Sequence, residues 1–354
     1  MELYYEGTHC KLYTGDMAGL LDVIEPNSID SVVTDPITNL AFQAEAWEKC
    51  YAVLKPGGHL LVFSDFNKYR RLACVIEDSG FEIRDSLLWL FGSSLGSIPN
   101  ALKPYYESII LARKPCEGAC VDNVLKYGVG GLNIDDCRVP FVNSTDYKIT
   151  ADKNQHEKFG TPPMTDNRVY GDYSMIQPKN YQSEGRFPSN VILTYTSDDY
   201  DEVCGGMPYT ESNGGTPTMP DLRDVGVKSK AAIGIDKLSF GQVRNADRKT
   251  QSYYVAPADS GNASRYFLCA KLSDKDQRED QTFVKPCELI QYLVRLITPP
   301  DGVIMDPFNY LGDTGVATMY ENQEHNSNFT YIGVDPVPDN LRISADRINA
   351  VLPK

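Results

Sequence analysis

Three acids in this chain each close a short apolar run. Asp35 follows Ile29 to Thr34, Asp306 follows Val303-Ile304-Met305, and Asp335 follows Tyr331-Ile332-Gly333-Val334. An acid at a strand end can accept hydrogen bonds from a ligand lying outside the carboxyl ends of an open α/β sheet. Asp335 suits a pair of ribose hydroxyls. Asp35 suits an exocyclic amine, with the Pro36 carbonyl taking the amine's second hydrogen. Between Asp306 and Asp335 runs a loop containing Gly312 and Gly315, then the helix-friendly Val316-Ala317-Thr318-Met319. A loop that opens a helix offers backbone N–H groups to an anion. Together these features suit a nucleoside with a negatively charged tail.

Such residues need elements that bring them to one edge. Ile29 to Val33 reads as a buried strand, and Ala44 to Leu54 as an amphipathic helix stopped by Lys55-Pro56-Gly57-Gly58. His59 to Phe63 is a buried strand, Tyr69 to Ser79 a helix closed by Gly80. Phe81 to Trp89 and Ser108 to Pro115 are two more strands. Leu12-Tyr13-Thr14-Gly15-Asp16 reads as a short strand, with Asp16 either capping the helix Met17 to Ile24 or accepting from an adenine amine. Near the C-terminus come the helix Cys287 to Ile297, the strands ending at Asp306 and Asp335, and the amphipathic helix Asn340 to Val351. Residues 140–270 differ: Asn, Ser, Thr, Tyr, Gly and Asp dominate, with few periodic apolar runs.

The loop at 306–318 resembles the S-adenosylmethionine (AdoMet) loop of the DNA amino-methyltransferases, usually Asp-Pro-Phe-x-Gly-Ser-Gly-Thr-Thr. Asp306, Pro307, Phe308, Gly312 and Thr314 match; Tyr310, Leu311 and Asp313 do not. Asp35-Pro36-Ile37-Thr38 resembles the family's catalytic Asp-Pro-Pro-Tyr, with Ile37 for the second proline and Thr38 for the aromatic residue that stacks on the flipped base. Val53-Leu54-Lys55-Pro56-Gly57-Gly58, Phe81 to Asp85, Ala101-Leu102-Lys103-Pro104, Ile110 to Pro115 and Asn133 to Val139 also follow the family, in order. Lys285-Pro286 is similar to a Lys-Pro that opens a helix beside the cofactor's methionine moiety. The usual preceding His-Pro-Thr is Asp280-Gln281-Thr282 here.

With the catalytic-type motif first and the AdoMet loop last, the order is that of the permuted class. The resemblance implies a Rossmann-like α/β fold: a mostly parallel sheet, helices on both faces and a reversed C-terminal strand pair. Residues 1–140 and 272–354 would form the catalytic domain, and 141–271 an inserted target-recognition region. It further implies AdoMet held by Asp16, Lys285, Asp306, Phe308, Gly312, Thr314 and Asp335, and catalysis at Asp35, Pro36 and Thr38. The reaction would be direct methyl transfer to an amine of a base flipped out of duplex DNA, adenine N6 ahead of cytosine N4, as in restriction–modification. A homodimer or a partner methyltransferase subunit stays open. A second reading also stays open: a homologue with altered functional loops that binds DNA, AdoMet or a protein without transferring a methyl. A dinucleotide oxidoreductase is disfavoured, since no Gly-x-Gly-x-x-Gly follows a strand.

The remaining bounds are broad. The chain has 354 residues and a net charge of −14, which argues against a general nucleic-acid binder. The charge is uneven, however: Asp221 to Lys271 holds nine Lys or Arg against five acids. Arg244, Arg248 and Lys249 in that segment are candidates for phosphate contact. Nine scattered cysteines and no basic-then-apolar leader suggest reduced thiols in the cytoplasm. Cys116, Cys120 and Cys137 lack a fourth ligand at finger-like spacing, so no metal is expected. No run approaches the roughly 20 apolar residues of a membrane span.

Overall fold

A computed structural model of the chain describes residues 1–36, 39–91, 106–141, 144, 147, 185–195, 267–271 and 285–352. The order begins with the hairpin β1 (Glu2–Gly7) and β2 (Cys10–Thr14), a 3₁₀ turn (Met17–Asp22) and β3 (Ile29–Thr34). Then come α1 (Ala44–Val53), β4 (Leu54–Ser64), α2 (Phe66–Asp78), β5 (Glu82–Phe91), β6 (Tyr106–Arg113) and α3 (Cys120–Tyr127). Short strands β7 (Val139–Pro140) and β8 (Gly185–Arg186) pair with each other, and β9 (Val191–Tyr195) and β10 (Leu268–Lys271) follow. Last are α4 (Cys287–Ile297), β11 (Val303–Asp306), α5 (Asp313–Glu324), β12 (Thr330–Asp335) and α6 (Pro338–Val351).

The main sheet runs β1-β2-β12-β11-β3-β4-β6-β5-β9-β10. The pairings β2–β12, β12–β11, β11–β3, β3–β4, β5–β9 and β9–β10 are parallel. Antiparallel pairing joins β1 to β2 and sets β6 between β4 and β5. The expected reversed C-terminal strand pair is not found: β11 and β12 are parallel, and the strand reversed within the sheet is β6, antiparallel to both of its neighbours because β5 returns in the direction of β4. Strands β9 and β10 fall within 141–271, so these described parts of that segment continue the main sheet.

Strand residues alternate between two cores, as the pleat demands. Val33, Leu61, Ile109 and Leu111 pack with Leu289, Leu293, Val316 and Leu341 of α4, α5 and α6. Val32, Leu60, Val62 and Ile110 pack with Trp47, Leu72 and Ile76 of α1 and α2. Helices thus cover both faces, which is why the central strands read as continuous apolar runs. Each fully buried Leu or Ile contributes about 1.5–3 kcal/mol. Helices α4 and α5 are also braced by charge. Arg295 donates to both carboxylate oxygens of the fully buried Glu321, at 2.6 and 2.8 Å, and Gln291 donates to Glu324 at 2.9 Å. Among the described residues no helix is long and apolar enough to cross a membrane.

Three local differences from the sequence reading have physical causes. Residues 54–58 belong to β4 and do not merely stop α1. Gly57 has φ +83°, and a Cβ there would lie 2.4 Å from Asn123 Nδ2. Asn123 on α3 donates to Pro56 O at 2.9 Å and Val129 O at 2.7 Å, so the glycine lets the strand pass beneath that amide. Residues 17–22 form a 3₁₀ turn where an α-helix reading was natural. Strand β1 has no apolar run to announce it, because as an edge strand it leaves Leu3 and Tyr4 exposed.

Candidate active site

Parallel pairing brings the carboxyl ends of β2, β12, β11, β3 and β4 to one edge, each ending in or soon followed by an acid: Asp16, Asp335, Asp306, Asp35 and Asp65. Because β6 runs the other way, its first residues reach that same edge. Ser64 at the end of β4 pairs with Ser108, which sets Glu107 alongside.

Asp35 is the open member of a charged cluster. Its side chain is 42% exposed, and its Oδ2 accepts a short hydrogen bond from Lys285 Nζ. Pro36 beside it is buried. The Lys285 ammonium also lies 3.5 Å from Glu107 Oε2 and 4.7 Å from the centre of the Phe63 ring. Burial works to lower the Lys285 pKa, but the Asp35 and Glu107 carboxylates outweigh it and hold the group above its ordinary value. Glu107 is pushed up to about 7, first by burial and then by the charges of Asp35 and Asp65, against the pull of Lys285. The sequence placed Lys285 beside a cofactor; its geometry ties it to Asp35. Glu107 was missed, because only the reversed direction of β6 brings it here.

Asp306 is buried at the end of β11. Its Oδ1 accepts from Thr34 Oγ1 at 2.6 Å and Phe308 N at 3.0 Å. Burial raises its pKa to about 6, while the hydrogen bonds from Thr34, Phe308 and Thr314 restrain the rise and the nearby Asp35 charge adds to it. Phe308 packs on Trp47, ring centres 5.9 Å apart. Thr314 is buried in the first turn of α5 and donates to Val33 O at 3.4 Å. Gly312, φ +79°, precedes that turn; a Cβ there would sit 2.1 Å from Ser344 Oγ on α6. Asp313 is paired with Arg347 at 2.9 Å, so its charge is neutralised at the helix start.

Asp335 holds the loop in place. Its Oδ2 accepts from Tyr310 N at 2.9 Å, and its Oδ1 from Val337 N at 2.8 Å and Asn340 Nδ2 at 3.0 Å. A carboxylate has about four acceptor positions. Three are filled, which leaves one position for a ligand donor unless the Asn340 side chain turns away. Asp16 caps the 3₁₀ turn through Ala18 N at 3.0 Å, and its neighbour Gly15 donates to Asp335 O at 3.1 Å. The exposed Asp16 thus stands beside Asp335, its second carboxylate oxygen compatible with an adenine amine. With the opening turn of α5 at the same place, this edge fits a nucleoside with an anionic tail. Ile37, Thr38, Arg244, Arg248 and Lys249 lie outside the described residues.

Residues 38–346 match the family model for N6 and N4 methyltransferases, described as DNA methylase. The chain belongs to this DNA amino-methyltransferase family, whose methyl donor is AdoMet. No curated protein matches. Among solved structures the chain is similar to M1.HpyAVI at 13% identity, with 96% of this chain and 98% of that one covered and a TM-score of 0.45. TTHA0409 of Thermus thermophilus, complexed with AdoMet, shows 15% identity, coverage of 97% and 94%, and a TM-score of 0.44. PvuII DNA methyltransferase, cytosine-N4-specific, shows 14% identity, coverage of 98% and 88%, and a TM-score of 0.45. Membership rests on the family match across residues 38–346.

Proposed function

We propose that this chain transfers a methyl from AdoMet to the exocyclic amine of a base flipped out of DNA, adenine N6 in preference to cytosine N4. The observation that carries the reading is the half-exposed Asp35 carboxylate, held by Lys285 on the edge that also carries Asp306 and Asp335. AdoMet, when bound, supplies an electrophilic methyl on sulfur. In this reading Asp35 accepts an amine N–H and turns the nitrogen lone pair toward that methyl. The Pro36 carbonyl takes the second hydrogen, and Thr38 lines the base pocket where the family has an aromatic residue. Asp16 receives the adenine of the cofactor, Asp335 one ribose hydroxyl, and the Asp306–Thr314 loop its charged tail, with Phe308 setting the loop's position. Proximity supplies much of the rate. Arg244, Arg248 and Lys249, within the segment 141–271 assigned to target recognition, neutralise phosphates.

The test is methylation of amplified, unmodified DNA with radiolabelled AdoMet, followed by digestion to nucleosides. N6-methyladenine is the expected product, and N4-methylcytosine would reverse the base preference. Asp35→Ala should abolish transfer while AdoMet affinity, read by calorimetry, stays near the parent value. A parent that binds AdoMet yet labels no DNA would instead support a binding module.

A further inference from the structure

We propose that Glu107 is a positioning residue for the transfer, acting through Lys285: it steadies the ammonium on Asp35 and takes up the proton that the base amine releases. The inference rests on the methyl-transfer reading above. Three separate elements build the cluster: Asp35 follows β3, Lys285 precedes α4, and Glu107 opens β6. Asp35 is its one open member. The Asp35 side chain is 42% exposed, while Lys285 is 13% and Glu107 15% exposed. Of the two carboxylates Asp35 is the one open enough to meet a base, while Glu107 is largely buried beside the same ammonium.

One ammonium here serves two carboxylates. Burying a second acid beside a charge already paired is costly unless it carries the proton part of the time. Glu107, held at about 7, is poised between its two forms near neutrality. The charged groups facing it are Lys285, Asp35 and Asp65.

The step balances. The amine nitrogen forms its bond to the methyl carbon, the carbon–sulfur bond breaks, and its electron pair stays on sulfur. The nitrogen, now positive, gives its proton to Asp35. Lys285 passes a proton to Glu107 and takes the one from Asp35. Asp35 and Lys285 return to carboxylate and ammonium, and Glu107 is left as the acid until water removes its proton.

The test compares the parent, Glu107→Gln and Glu107→Asp in single-turnover methylation of amplified DNA across pH, with AdoMet affinity read by calorimetry. The parent rate should rise through a midpoint near pH 7. Glu107→Gln should lose that limb and fall about 100-fold at its plateau, the low end of what one proton-transfer group contributes, and Glu107→Asp should recover part of the rate. AdoMet affinity should stay within about twofold in both, since uniform binding is not what is removed. Infrared titration of carbon-13 glutamate-labelled parent should show a carboxyl band with a midpoint near neutrality that Glu107→Gln lacks. A Glu107→Gln protein with the parent's rate and pH limb, or one changed only in KM, overturns the inference. So does the absence of any glutamate carboxyl titrating near neutrality in the parent, a result that stands even if the variant fails to fold. An active parent with unaltered variants sinks this inference alone; a parent inactive on all DNA sinks the methyl-transfer reading with it.

Discussion

Asp306 is a carboxyl group kept from water by the loop it organises, and its protonation bears on stability. Its folded pKa, about 6, lies above the ordinary 3.8. Between those values the folded chain holds a proton the unfolded chain has shed, so Asp306 stabilises most at low pH and its contribution is lost as pH rises through 6. Buried His59, pushed down to about 3, acts oppositely: its contribution is lost as pH falls below its ordinary 6.5. The comparison of parent with Asp306→Asn isolates the carboxyl. The variant should be destabilised most near about pH 4.5 and the gap should narrow toward about pH 7.5; thermal midpoints at both read it, and a constant gap refutes it. Asp335→Ala should weaken AdoMet by roughly 1–3 kcal/mol, the cost of losing a hydrogen bond to a charged group and of freeing the Tyr310 amide. Unchanged affinity by calorimetry would remove Asp335 from the cofactor site. Asp35, Asp306 and Asp335 were legible because each ends an apolar run. Glu107 was not, since its position depends on a strand direction that no local pattern encodes, and the Lys285–Asp35 contact spans most of the chain.

At the scale of elements, the family resemblance placed Gly312 among the residues that hold AdoMet. Its φ of +79°, and the 2.1 Å at which an added Cβ would meet Ser344 Oγ, give it another duty, seating the loop against α6. Gly312→Ala should therefore lose stability with or without ligand. The left-handed conformation alone costs about 1–2 kcal/mol. Trimming the neighbour in Gly312→Ala/Ser344→Gly should restore only the steric part, as chemical denaturation can measure. Equal stability of parent and single variant would contradict this account. Helix α4 was legible to both ends, its span opened by Pro286 and closed before Thr298. Strand β4 was legible only in its apolar half, since the tract at 55–58 looks like a stop and acts as a strand only because α3 packs over it.

At the scale of the molecule, the family order of motifs carried the fold and its two helical layers, whereas the continuation of the sheet through β9 and β10 depends on pairings far apart in sequence. DNA binding should weaken steeply with salt, with a log–log slope near −0.9 for each phosphate neutralised. Reversing Arg244, Arg248 and Lys249 together should flatten the slope and weaken binding to every sequence alike; a salt-insensitive complex would place the contact elsewhere. The brace between Arg295 and Glu321 has a consequence for how the two ligands communicate. Helix α4 begins beside Lys285, at the amine side of the edge, and α5 begins at the Gly312 loop, at the nucleoside side. In the proposed reading, the two-point ion pair ties together two helices that start one at each ligand. Filling one end pre-orders the other, so AdoMet and DNA should bind with positive coupling, and by linkage the gain must be the same in either order of addition. Replacing the pair with apolar residues, Arg295→Met with Glu321→Leu, should spare the fold while uncoupling the ends, and the two affinities would then become independent numbers.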